Sequence, residues 1–198
     1  MDFKLLTAAL IASAFLTTGY AGDMDKKMGM DTMKTEKMGM EKMAEMPFGG
    51  QMDVAFSKKL WDKLEAVGLN STPANLYIGG PPHGKVREVL EGMIDGKRVI
   101  VKRNYDGEGV SLETVAKDRA KYLKAVTVMM KMDKGYDPKN NDWFWAKYKA
   151  DGSLHEIPTG DQIAGKFPGC ISCHASASGG DLVFKHNKEA NAEVVYVK

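Results

Sequence analysis

The only two cysteines of this 198-residue chain stand three apart, and a histidine follows the second: Cys170-Ile171-Ser172-Cys173-His174. C-x-x-C-H is the pattern of covalent c-type haem attachment. Each thiol adds to one vinyl group of the macrocycle, and the adjacent imidazole becomes the proximal ligand of the iron. On a helical turn, positions i, i+3 and i+4 share a face, so all three side chains reach one group together.

Other uses of such a pair fit less well. Zinc would need a fourth ligand from His83, His155, His186 or a carboxylate, and none of these stands at the paired spacing of small zinc sites. A dithiol redox pair belongs near the start of a βαβ unit, whereas this one lies close to the C-terminus. A disulfide across two residues closes too small a loop to stabilise much.

The N-terminus agrees with haem attachment outside the cytoplasm. Lys4 supplies a positive charge, residues 5–16 a short apolar core, and Gly19-Tyr20-Ala21 a small-residue cleavage site. Residues 1–21 therefore read as a signal peptide, and the expected location is periplasmic. The apolar run is too short to favour a membrane-spanning helix. The formal net charge is +2, which gives no broad field for nucleic acid.

Residues 22–52 form a low-complexity tail. Eight methionines, from Met24 to Met46, are interleaved with Lys, Asp, Glu and Gly, leaving little that a core could bury. The alternative use is a Cu(I) site, because thioethers suit that soft ion and the M-x-M and M-x-x-M spacings would gather several of them.

The folded domain is expected over residues 53–198. Val54, Phe56, Leu60, Trp61, Leu64 and Val67 recur near helical spacing and Gly68 follows, which predicts an amphipathic helix over 53–67. Residues 70–84 carry Thr72-Pro73, Gly79-Gly80-Pro81-Pro82 and His83-Gly84. That is loop chemistry around a short strand at 76–78, with His83 expected at the surface and a contact with the haem as its alternative.

Asp95-Gly96 marks a turn, and Arg98-Val99-Ile100-Val101-Lys102 is strand-prone. In it Val99 and Val101 face one way, Arg98, Ile100 and Lys102 the other. Leu112, Val115, Ala116, Arg119 and Ala120 suit a short helix. Residues 125–132 are a further strand, and 143–149 return antiparallel to it, ending at Ala150-Asp151-Gly152. This order fits neither a class I cytochrome c, whose attachment motif comes early, nor a four-helix bundle.

Four segments carry a more specific likeness: Gly135-Tyr136-Asp137-Pro138, Asp142-Trp143-Phe144-Trp145-Ala146-Lys147-Tyr148, Cys170 to His174 with Ala175, and Asp181-Leu182-Val183-Phe184. Together they resemble the cytochrome P-460 family, which includes the cytochrome c′-beta proteins. The likeness runs over about residues 84–184 and leaves the methionine tail outside. It implies an α+β fold, an antiparallel β-sheet with flanking helices. It also implies a homodimer with one covalent haem c per chain, His174 proximal, and an open or weakly filled distal side.

Family members bind nitric oxide, and some oxidise hydroxylamine with a haem cross-linked to a lysine in a V-x-V-K strand. Val99-Ile100-Val101-Lys102 matches that form and nominates Lys102, whose alternative is a solvated strand lysine. The oxidising members carry a distal glutamate on the strand before the tryptophan hairpin. Counting back from Trp143 puts Thr127 at that place, and no acid occurs between Asp118 and Asp133. Proton removal from hydroxylamine calls for a positioned base, which threonine cannot supply.

The distal wall is then expected from either Val126, Val128 and Met130 or Thr127 and Met129, because a strand shows alternate residues to each side. The expected function is nitric oxide binding at a five-coordinate iron, with a periplasmic redox partner. Hydroxylamine oxidation, or electron transfer with Met129 or Met130 as sixth ligand, are the alternatives.

Overall fold

A computed structural model describes residues 47–184 and 195–197. Residues 1–21, read above as a signal peptide, and the eight methionines from Met24 to Met46 lie outside the described residues, whereas Met52, at the end of the expected tail, already belongs to the first helix. Helix α1 (Gln51–Ala66) opens the described part, two residues before the expected start, and Val67 and Gly68 close it with their N–H groups on the carbonyls of Lys63 and Glu65. A short strand β1 (Tyr77–Ile78) follows the loop, and then β2 (Val86–Ile94), which the sequence had not marked. Asp95 and Gly96 both take left-handed φ values, 50° and 73°. That is the signature of the two-residue turn whose twist suits a hairpin, and it returns the chain as β3 (Lys97–Tyr105).

The single expected helix after β3 is two short ones, α2 (Leu112–Lys117) and α3 (Arg119–Tyr122). Asp118 separates them because its backbone leaves the helical region, at φ −148° and ψ 83°, and its carboxylate accepts the Lys121 N–H at 3.0 Å, making it the cap of the second helix. Strands β4 (Leu123–Lys131), β5 (Trp143–Tyr148) and β6 (Ala164–Gly165) complete an antiparallel run in the order β1-β2-β3-β4-β5-β6. Helix α4 (Pro168–His174) carries the cysteine motif, and β7 (Val195–Val197) pairs in parallel with β2. The described part is thus an α+β fold built on a largely antiparallel sheet.

The pleat of the sheet separates two chemistries. Val99, Val101, Val126, Val128, Met130, Phe144 and Tyr148 face α1 and bury Leu60, Trp61 and Leu64 of that helix in the larger core. On the opposite face Val89, Ile100, Met129, Trp143 and Trp145 pack with Val183 and with Cys170 and Ile171 of α4. The period of two in β3 to β5 therefore assigns one face to stability and the other to α4.

One buried charge lies at the end of the larger core. Glu88, fully enclosed, accepts the Tyr105 hydroxyl and the Ala74 N–H (2.9 Å) and pairs with Arg103 at 2.8 Å and Arg119 at 3.3 Å. Arg103 in turn donates to the carbonyls of Asn70 and Thr72, which fastens the loop leading to β1. Burial and the Glu88 carboxylate push the Tyr105 phenol well above its ordinary range.

Candidate functional site

Pro168 starts α4, where a residue without an N–H costs nothing, and the seven-residue helix places Cys170, Cys173 and His174 on adjoining positions. Both thiols are free. Cys170 lies against the sheet and burial pushes its thiol up to about 11, the reverse of the depressed value that a dithiol redox pair uses. His174 is 8% exposed. Its Nδ1–H donates to the Leu182 carbonyl at 2.6 Å, because a carbonyl can only accept. Nε2 is left as the free acceptor, the tautomer that a metal-binding imidazole needs. Trp145 and Phe184 meet the ring edge-on, with centroids at 4.7 and 5.2 Å.

Two cavities share His174, Lys102 and His83 as lining residues. The larger, about 410 Å³, lies between the 77–83 segment, Arg87, Cys173 and Phe184. The smaller reaches the sheet at Ile100, Thr127, Met129 and Trp145. The register explains why these residues meet: Val89 pairs with Lys102 and Lys102 with Thr127 in one row, while Ile100 pairs with Met129 and Met129 with Trp145 in the next.

This register decides between the two expected distal sets. Val126, Val128 and Met130 pack in the core against α1, so Thr127 and Met129 are the strand residues on the side of His174. Met130 is thereby removed as a sixth ligand, because its thioether is enclosed on the wrong face. Thr127 is half-buried; the Asn104 amide donates to its hydroxyl at 3.3 Å and the hydroxyl donates to the Lys102 carbonyl at 3.5 Å.

Lys102 is not a solvated strand lysine. It is 8% exposed, and burial, with a second contribution from Arg87, holds its amine down to about 8. His83, expected at the surface, lines both cavities instead; burial first and Arg87 next hold its imidazole down to about 4. The Gly79 N–H on the Lys85 carbonyl (2.8 Å) closes this loop. Gly84, at φ 91°, comes so near β3 that a Cβ would stand 2.7 Å from the Tyr105 carbonyl oxygen. His174 is likewise held at about 4, by burial first and then by Lys102.

The donors around this space fit a haem. Among the described residues, Arg87 Nε and Nη2, His83 Nδ1 and Trp145 Nε1 are buried without a hydrogen-bond partner, and all three residues line the cavities. Buried donors are ordinarily satisfied, so a group with acceptors belongs among them. Neither cavity has an Asp or Glu in its lining, while Arg87 and Lys102 are both there. A macrocycle with two carboxylates and an iron suits that arrangement of guanidinium, free imidazole and two thiols. Arg87 was not marked in the sequence, and Trp145 and Leu182 stood there only within family-like segments, without a role at the site. Arg87 and Trp145 follow once the strands are in register, whereas no sequence signal identifies a backbone carbonyl.

The sequence model of the family described as Cytochrome P460 matches residues 85–185, just over half of the chain, and spans β2 through α4. Comparison with curated proteins and with solved structures gives no match.

Proposed function

Because this chain belongs to the cytochrome P460 family, which implies a haem cofactor, we propose that it is an exported mono-haem c-type cytochrome that binds nitric oxide or a related small nitrogen species. Cys170 and Cys173 would hold the haem through thioether bonds, His174 Nε2 would ligate the iron, and Arg87 would pair with a carboxylate of the macrocycle. Bound there, the haem would supply an iron able to take a small ligand.

The observation that carries this reading is the lining of the space around His174. Ile100, Met129 and Trp145 form an apolar wall, and no carboxylate stands among the lining residues to take a proton from hydroxylamine. Thr127, the residue that counting back from Trp143 puts at the distal-acid position, has its hydroxyl already engaged by Asn104 and the Lys102 carbonyl. An apolar wall without a carboxylate favours a neutral diatomic over turnover of a polar amine.

One observation favours the second reading, hydroxylamine oxidation by a lysine-cross-linked haem. Lys102 lines both cavities, and its depressed amine is more often neutral, hence nucleophilic, than a surface lysine. The electron-transfer alternative retains Met129 alone as a thioether donor. A second copy of the chain and a periplasmic redox protein are the expected partners.

Anaerobic titration of the ferrous protein tests the reading. Stoichiometric uptake of nitric oxide together with little hydroxylamine turnover is the expected result. Robust turnover, with a haem peptide whose mass includes the Lys102 segment, would move the assignment to the enzyme.

A further inference from the structure

The carbonyl that holds His174 belongs to a segment with little reason to keep its place unaided. Between α4 and Leu182 stand Gly179 and Gly180, at φ 94° and 72°, and Leu182 itself has φ 57°, a left-handed conformation that leucine avoids. The segment is tied down by groups from the far end of the sheet. Asn141 Nδ2 donates to the Gly180 carbonyl at 2.7 Å, and Trp143 Nε1 donates to the Asp181 carbonyl at 3.0 Å. Arg98 Nη1 donates to Asp181 Oδ2 at 2.7 Å, and Lys131 lies 3.5 Å from Oδ1.

These anchors form one unit. The Arg98 guanidinium is oriented by Glu91, which accepts its Nε and Nη2 at 2.6 and 3.0 Å. Arg98 and Lys131 each stand over the Trp143 ring, at 5.7 and 4.6 Å from its centroid. Trp143 is fully buried and Val183 nearly so, so the next side chain of the segment is also fixed on the sheet.

We propose that Asp181, clamped by Arg98, is a positioning residue for the axial imidazole: through Leu182 it fixes the orientation and donor strength of His174. The inference rests on His174 as the proximal ligand. A partner for Nδ1–H locks the ring and makes Nε2 a stronger donor, and such partners govern metal sites nearly as much as the ligands do. With two glycines upstream, the Leu182 carbonyl keeps its 2.6 Å contact because Asp181 is held from the side chain as well as the backbone.

The test is resonance Raman of the ferrous haem-loaded protein, with the midpoint potential as a second readout, for Arg98→Met, Asp181→Asn and Arg98→Lys. Arg98→Met and Asp181→Asn are expected to move the iron–imidazole stretching band to lower frequency and broaden it. They are also expected to raise the potential, since a weaker donor stabilises the ferric state less. Arg98→Lys, which keeps one charged contact to Asp181, is expected to restore part of both shifts. Lys63→Met, which removes the distant pair with Asp95, controls for loss of an ion pair as such. An unmoved band and potential in Arg98→Met and Asp181→Asn, or an equal shift in Lys63→Met, would overturn the inference while leaving the haem reading intact. A wild-type protein that takes up no haem through the Cys170 to His174 segment would instead overturn both.

Discussion

Replacing Lys102 by methionine is expected to stabilise the protein when it is produced without haem, and to do so in a pH-dependent way. The amine is brought from 10.5 to about 8, chiefly by burial. A lysine whose folded value lies below its unfolded one opposes folding wherever it is protonated in both states. The unfolded chain binds more protons through the window from about 8 to 10.5, so stability rises with pH across that window. Below it the penalty is complete, at most about 3 kcal/mol for this shift. By pH 9.5 about half of it is relieved.

Methionine keeps most of the stem and removes the charge, so the variant escapes the whole penalty. Urea unfolding of both proteins at pH 7 and pH 9.5 measures the difference directly. The expected gain is largest at pH 7 and about halved at pH 9.5. A variant no more stable than its parent at pH 7, or a gain that ignores pH, would refute the claim that Lys102 is held enclosed among Arg87, Phe184 and the sheet. In that case the amine reaches solvent, and its candidacy as a haem nucleophile weakens with it.

Introducing a carboxylate by Thr127→Glu is expected to raise hydroxylamine oxidation by about two to four orders of magnitude, the usual worth of a general base, in a steady-state assay with an artificial electron acceptor. No gain would mean that the Thr127 row does not face the bound amine. Haem colour is expected to stay with the wild-type protein in acid acetone and to be extracted from the Cys170→Ser, Cys173→Ser double variant; extraction from both would exclude thioether attachment. Glu88→Gln is expected to cost about 3–5 kcal/mol in urea unfolding, because Arg103 is left buried without its counter-charge. The nitric oxide spectrum of that variant is expected to be unchanged, since Glu88 lies on the face of the sheet away from α4.

Local chemistry alone determined much of this protein. The cysteine motif needs only adjacent positions on one helical turn, and α4 supplies them. The Asp95-Gly96 turn and the alternation around Val99 likewise follow from backbone preferences and a period of two, which act within a few residues. The sheet could be anticipated, although β2 could not. Its sequence, Val-Arg-Glu-Val-Leu-Glu-Gly-Met-Ile, mixes buried charge and glycine that only neighbouring elements justify.

The choice between Thr127 with Met129 and Val126 with Val128 and Met130 needed tertiary structure. Alternation says that the sets face apart but not which side holds α4. His83 illustrates the same limit, because a histidine in a Gly-Pro loop reads as exposed until the loop is seen folded against β3. The Leu182 carbonyl and its clamp are the extreme case. Arg98 and Asp181 are separated by 83 residues, and a backbone acceptor carries no residue identity, so only the path of the chain across the sheet brings them to His174.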